Sequence, residues 1–136
     1  MTATSKKYRN AAERDEAYGR IYHEARDAGV LAAQKQLQEL QGQGPAYVVK
    51  SGNTVVGTML DVCGFASVII SKGNSSYARW AKKQDNLAHS AYRGGTTLFI
   101  RATQRQELSV NRAACEAAAE ILRSHGIEVH VESRID

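Results

Sequence analysis

The order of hydropathy periods after residue 60 constrains this chain more than any other feature. Asp61-Val-Cys-Gly-Phe-Ala-Ser-Val-Ile-Ile-Ser-Lys-Gly-Asn-Ser-Ser-Tyr-Ala-Arg-Trp80 joins the most apolar strand candidate to a Gly/Ser loop and a helix start. The unbroken apolar run from Phe65 to Ser71 predicts a strand buried on both faces. A short helix over about 76–85 follows. Two strands, about 87–92 and 96–102, flank Arg93-Gly-Gly95, whose paired glycines supply the positive φ of a tight turn. Ser109 is a candidate N-cap. Beyond it Val110, Ala114, Ala117, Ala118, Ile121 and Leu122 form a narrow apolar stripe that lets a helix lie close to a sheet. Gly126 suits the position just past that helix. Ile127, Val129 and Val131 then alternate with Glu128, His130 and Glu132, as in a half-exposed strand. Strand, helix, strand, strand, helix, strand is the split βαβ order. The expected core, about 65–132, is therefore α+β and ferredoxin-like; the alternative is another α+β sandwich of the same elements.

Two additions precede this core. Residues 1–9 read as a flexible basic tail, and 10–42 as a helical extension in which Tyr18, Ile21, Tyr22 and Ala25 recur at helical steps. Gly29 interrupts that pattern at a cost of about 1 kcal/mol relative to Ala. Val30, Leu31, Ala33, Leu37 and Leu40 resume it, as one kinked helix or two, until Gly42-Gln-Gly-Pro45 stops it. The apolar surface exceeds what a small sheet needs, so part of this region is expected to meet a second copy of the chain. Ala46–Val49 and Val55–Met59 flank a Gly/Asn turn and predict a hairpin. Residues 10–136 thus read as one domain, with the α+β core over 45–136.

Composition excludes more than it selects. With 136 residues, 43% hydrophobic and 24% charged, the chain is long enough for a core of its own. No apolar run approaches the roughly 18 residues of a membrane span. The first ten residues carry charge without a following apolar stretch, so no secretory signal is expected. The location expected is cytoplasmic, with Cys63 and Cys115 as reduced, buried thiols. The four histidines and two cysteines show no ligand spacing, so no metal and no cofactor are expected. Cys63 with His89 or His130 as base is a weak arrangement for catalysis, and no catalytic residue is assigned. Asp61, Arg134 and Asp136 are expected to form ion pairs that pin the C-terminus.

A net charge of +4 favours phosphate-bearing partners. Ser71-Lys-Gly-Asn-Ser-Ser76 lies between a strand and a helix start, where free backbone N–H groups and the helix dipole attract anions. Lys72, Gly73, Asn74, Ser75 and Ser76, with Arg79 one turn on as anchor, form the candidate anion site. Arg93 and Arg101 would join it if the second hairpin lies alongside. Neither a Walker A loop nor a GxGxxG fingerprint is present. Tyr77, Trp80 and Tyr92 are available for stacking, although Trp80 at helical spacing is expected in the core. No RNP-type run marks a standard RNA-recognition module.

Asp61-Val-Cys-Gly-Phe-Ala-Ser-Val, Ala78-Arg-Trp-Ala-Lys-Lys83, Tyr92-Arg-Gly-Gly95 and Ser133-Arg-Ile-Asp136 together resemble a family of small uncharacterised bacteriophage and prophage proteins. The resemblance covers 61–136, and Ser67 stands where the family often has an aromatic residue. It implies a phage or mobile-element origin, in a bacterial cytoplasm, and little chemistry. The expectation from sequence is a non-enzymatic accessory protein that binds a nucleotide or single-stranded nucleic acid. The alternative is a counter-defence or accessory factor that docks on a host protein. No membrane partner is expected, and a homo-oligomer would form through the N-terminal helix.

Overall fold

The computed structural model describes residues 8–44, 47–91 and 93–135. The elements run α1 (Ala11–Gln43), β1 (Tyr47–Ser51), β2 (Thr54–Met59), β3 (Gly64–Ile70), α2 (Ser76–Lys83), β4 (Ala88–Ser90), β5 (Thr96–Leu98), α3 (Leu108–Ser124) and β6 (Val129–Ile135). β1 and β2 pair as a separate antiparallel hairpin turned at Gly52. The other four strands form an antiparallel sheet in the order β4-β5-β3-β6. One face of that sheet is covered by helices. Val68 and Ile70 of β3 and Leu98 of β5 meet Tyr77, Ala78, Trp80 and Ala81 of α2 and Cys115, Ala118, Ala119 and Leu122 of α3.

Each helix owes its place to packing and caps rather than to intrinsic helicity. Eight residues are too few for α2 to persist alone. Ser75 Oγ accepts from Ala78 N at 3.3 Å, and burial of Tyr77 and Trp80 contributes about 1.5–3 kcal/mol each. Trp80 is a core residue, as its spacing implies. The stop of α3 also matches expectation: Gly126 takes φ 84°, its N–H reaches Arg123 O at 2.9 Å, and Ile127 N reaches Leu122 O at 3.0 Å. Those two bonds satisfy carbonyls that a helix end leaves open.

The start of α3 differs. The helix begins at Leu108, and Ser109 is not its N-cap. Its N-terminus is held from a distance, by Asp61, whose carboxylate accepts from Ser109 N at 3.0 Å. Burial pushes the Asp61 carboxyl up, but the Ser109 bonds, the Val62 amide and Arg112 outweigh it and hold the group below the usual range. The expected Asp61–Arg134 pairing gives way to this long-range cap, and Asp136 lies outside the described residues. Glu107, at the capping position, makes no cap bond and points its carboxylate at Arg105 and Leu60 N instead.

α1 is a single continuous helix, opened by Asn10, whose side chain accepts from Glu13 N at 2.9 Å. Gly29 does not break it. A Cβ there would meet Ala114 O at 3.0 Å, Ala102 Cβ at 3.2 Å and Ile100 Cγ2 at 3.3 Å, so the glycine marks where α1 presses against α3 and the chain after β5. Ile21, Tyr22 and Ala25 enter the main core, while Ala33 and Leu40 join Val110 and Ala114 in a second cluster. Of the apolar α1 residues expected to seek another chain, Leu31 alone stands open, at 68% exposure. At the other end of the helix, Tyr8 packs its ring on Tyr18, with centroids 5.9 Å apart. No described helix is long and apolar enough to cross a membrane.

The second hairpin is shorter than its β-rich sequence suggests: the chain leaves β5 after Leu98, and Arg101 takes φ 50°. Cys115 is buried, and burial pushes its thiol up to about 11. Cys63 is only half-buried, because it lies in the link before β3 rather than in the strand. β3 itself is not enclosed on both faces along its length. Val68, Ile69 and Ile70 are buried, but Phe65 is 51% exposed. The open face of the sheet begins there.

Candidate functional site

Strand alternation decides what the open face carries. With Val68 and Ile70 turned to the helices, Phe65, Ser67 and Ile69 face away from them. Ile69 pairs with Thr97 and with His130, and His89 pairs with Thr97, which brings these side chains to the same face. The Phe99 ring lies 5.0 Å from the His89 ring, so Phe99 belongs to that face as well. Glu132 and Arg134 follow His130 at two-residue steps along β6. Phe65, Ser67, Ile69, Thr97, Arg93, Glu132 and Arg134 line a cleft of about 710 Å³.

The electrostatics of the face are one-sided. Arg134 Cζ lies 5.7 Å above the centre of the Phe65 ring, and Arg101 Cζ lies 5.0 Å above that of Phe99. Such cation–ring contacts contribute about 0.5–1 kcal/mol at exposed sites and hold the guanidinium beside the ring. Arg101 is further fixed by donating to Asn86 O at 2.5 Å. Phe99 is fixed from below: Tyr22 of α1 donates its hydroxyl to Phe99 O at 2.6 Å, and Phe99 N donates to Leu87 O at 2.9 Å. The one carboxylate lining the cleft is that of Glu132, 2.9 Å from His130 Nε2. Arg93 and Arg134 thus line the cleft with Glu132, a carboxylate that already has a partner, and Arg101 stands beside Phe99.

The loop marked in the sequence, residues 71–76, is knit into the fold by its own groups. Gly73 O accepts from Lys82 Nζ at 2.9 Å and from Thr96 Oγ1 at 3.1 Å, so donors converge on a carbonyl there. Ser75 Oγ caps α2, and Ser76 Oγ lies 3.0 Å from the Tyr18 hydroxyl. Lys72 Nζ is 3.9 Å from Glu128 Oε2, and the Asn74 side chain is exposed. A Cβ on Gly73 would sit 3.0–3.1 Å from Gly95, so the loop rests directly on the turn of the second hairpin. That contact brings Arg93 near the loop. Arg79 is exposed on α2, a helix of the covered side, whereas Arg93 lines the cleft on the open side. Arg101 lies past the far end of β5, with Phe99.

Ser71 Oγ is 3.2 Å from His130 Nδ1, which continues through His130 to Glu132. All three side chains are exposed. The row ties the loop to β6 without the dry surroundings from which electrostatic catalysis draws its strength. Among the described residues, no three His, Cys, Asp or Glu side chains gather as a metal site.

Sequence reasoning named Arg93 and Arg101 but missed Phe65, Phe99 and Arg134. The signal was present in the alternation Phe65-x-Ser67-x-Ile69 against Ala66-x-Val68-x-Ile70. The apolar run concealed it. Tyr92, a further stacking candidate, lies outside the described residues. No protein-family model, no curated protein and no solved structure matches the chain.

Proposed function

We propose that this chain is a non-enzymatic binding protein whose open sheet face holds a phosphate-bearing ligand with an aromatic base, a nucleotide or a nucleic-acid strand. The observation that carries the reading is the pairing of each face ring with a guanidinium, Phe65 with Arg134 and Phe99 with Arg101. Rings offer stacking to a base and guanidinium groups offer hydrogen bonds to phosphate, two demands that nucleotides make together. We also infer a ferredoxin-like core. The order β4-β5-β3-β6, with strand–helix–strand repeated on either side of the second hairpin, supports it, since β3 and β5 then occupy the two central positions. The phage setting rests on the sequence resemblance alone.

The test is binding of a fluorescent mixed-sequence oligonucleotide and of ATP to the full chain across a salt series. The wild type is expected to bind at least one of them, weakening with salt, and replacement of Arg93 and Arg134 together by Gln is expected to abolish that binding while the thermal midpoint holds. Binding that ignores salt and both arginines would remove the reading. A second reading, docking on a host protein, is favoured by Phe65, an apolar side chain 51% exposed on the open face. An interface centred on apolar groups would keep its affinity as salt rises.

A further inference from the structure

The open face is shallow, and that shape bears on which nucleic-acid ligand it takes. Small-molecule sites enclose most of their ligand's surface. Here Phe65 and the cleft beside it present one side only, with no element of the described chain above them. A ligand covered on one side gains little at each point and needs several points. The face supplies them in pairs. Phe65 on β3 and Phe99, the residue next after β5, both belong to the open face. Ser67 lines the cleft with Phe65 and a smaller hollow with Phe99, and so stands between the two rings. Ser67, small and polar, leaves the space between the rings open. Arg134 and Arg101 flank the rings, and Arg93 stands at the other end of the cleft, past Ile69.

Resting on the reading above, we propose that the ligand is single-stranded nucleic acid, held by at least two consecutive unpaired bases, one on Phe65 and one on Phe99. The arginines hold the phosphates between and beside these bases. Duplex is a poor fit, because its bases are already stacked on one another and cannot lie on a protein ring. A mononucleotide is a poor fit because it can use one ring only. Among the described residues of the face no group is set to select ribose over deoxyribose, so RNA and DNA strands share the chemistry and the experiment includes both.

The experiment measures fluorescence anisotropy of labelled ten-nucleotide DNA and RNA strands with the full chain. Competitors are the unlabelled strand, its duplex, a dinucleotide and a mononucleotide. The single strand is expected to compete at least tenfold better than the duplex, and the dinucleotide clearly better than the mononucleotide. Affinity is expected to fall with salt at a log–log slope of about −2, for three phosphate contacts on a single strand. Phe65→Ala is expected to weaken binding about tenfold or more, as loss of one stacking ring does, and Phe65→Tyr to restore it. Circular-dichroism melts guard against unfolding, and Phe65, half in solvent, can be removed with little risk to the core. Equal competition by mononucleotide and dinucleotide would overturn the two-base site and leave the phosphate-ligand reading standing. Equal competition by duplex, with Phe65→Ala unchanged, would also overturn stacking while leaving phosphate contact. No binding by any strand or nucleotide would sink both.

Discussion

Replacement of Arg105 by Ala should make the stability of this protein depend on pH in a way the wild type does not. The Glu107 carboxylate is 1% exposed, and Arg105 grips it with two nitrogens, Nε at 2.9 Å and Nη2 at 2.5 Å. Leu60 N donates to the same group at 3.4 Å. Around it, Leu108 N bonds Val62 O at 2.8 Å and Gly64 N bonds Gln106 O at 3.0 Å, so this carboxylate sits where the entry to β3 is stapled to the start of α3. Burial pushes the Glu107 carboxyl up, but Arg105 and the amides of Glu107 and Leu60 outweigh it, and the net position is below the usual range. With the folded pKa depressed, the charged group contributes stability that is fully present above the unfolded pKa and is lost as pH falls through the folded value. Without Arg105 the burial effect loses its main opponent, and the carboxyl moves upward. Breaking a fully buried pair costs about 3–5 kcal/mol. Arg105 is itself 42% exposed, which places the expected loss lower, at about 2–3 kcal/mol at pH 7. As pH falls through the variant's raised carboxyl value, Glu107 takes a proton there while the wild-type group stays charged to lower pH, and the deficit against wild type should shrink. Urea unfolding followed by the fluorescence of buried Trp80 at pH 7 and pH 4 measures both values. Equal deficits at the two pH values, or a loss under about 0.5 kcal/mol at pH 7, would refute this account of the staple.

Further expectations test other parts of the fold. In Gly64→Ala the new Cβ would lie 2.6 Å from Arg134 O and 2.9 Å from Leu108 Cδ1, and since backbone cannot yield as a side chain can, about 1–3 kcal/mol should be lost in thermal unfolding. Tyr22→Phe deletes the hydroxyl that donates to Phe99 O at 2.6 Å. It should cost about 0.5–1.5 kcal/mol in urea unfolding and loosen strand binding at the Phe99 ring. Leu31→Glu should change stability by less than about 0.5 kcal/mol, and sedimentation should show no change in assembly; a shift to smaller species would mean that α1 carries an interface between copies.

Local chemistry was legible in the sequence where local chemistry decided the outcome. Gly126 ends a helix because a left-handed φ is needed there. The elements after residue 61 could be read in order for the same reason. What stayed hidden depends on partners far along the chain. Asp61 caps a helix that starts more than forty residues later, and no spacing rule announces it. Gly29 looked like a break because its reason is the Ala114 carbonyl pressing on it from α3. In the loop 71–76, the candidate anion site, Ser75, Ser76 and the Gly73 carbonyl are engaged by Ala78, Tyr18, Lys82 and Thr96, and the loop's own composition names none of those partners. Phe65 lay in an apolar run that implied enclosure, and only the placement of the helices on the opposite face of the sheet shows why its side chain is open.

An amide-resolved NMR titration of the full chain with a ten-nucleotide single strand tests the central claim most directly. The expected result is that shifts concentrate on Phe65, Ser67, Thr97, Phe99 and Arg134, with the Ser75–Arg79 amides and the α1–α3 contact unmoved. Shifts confined to residues 71–79, or spread over α1 with the sheet face silent, would contradict it.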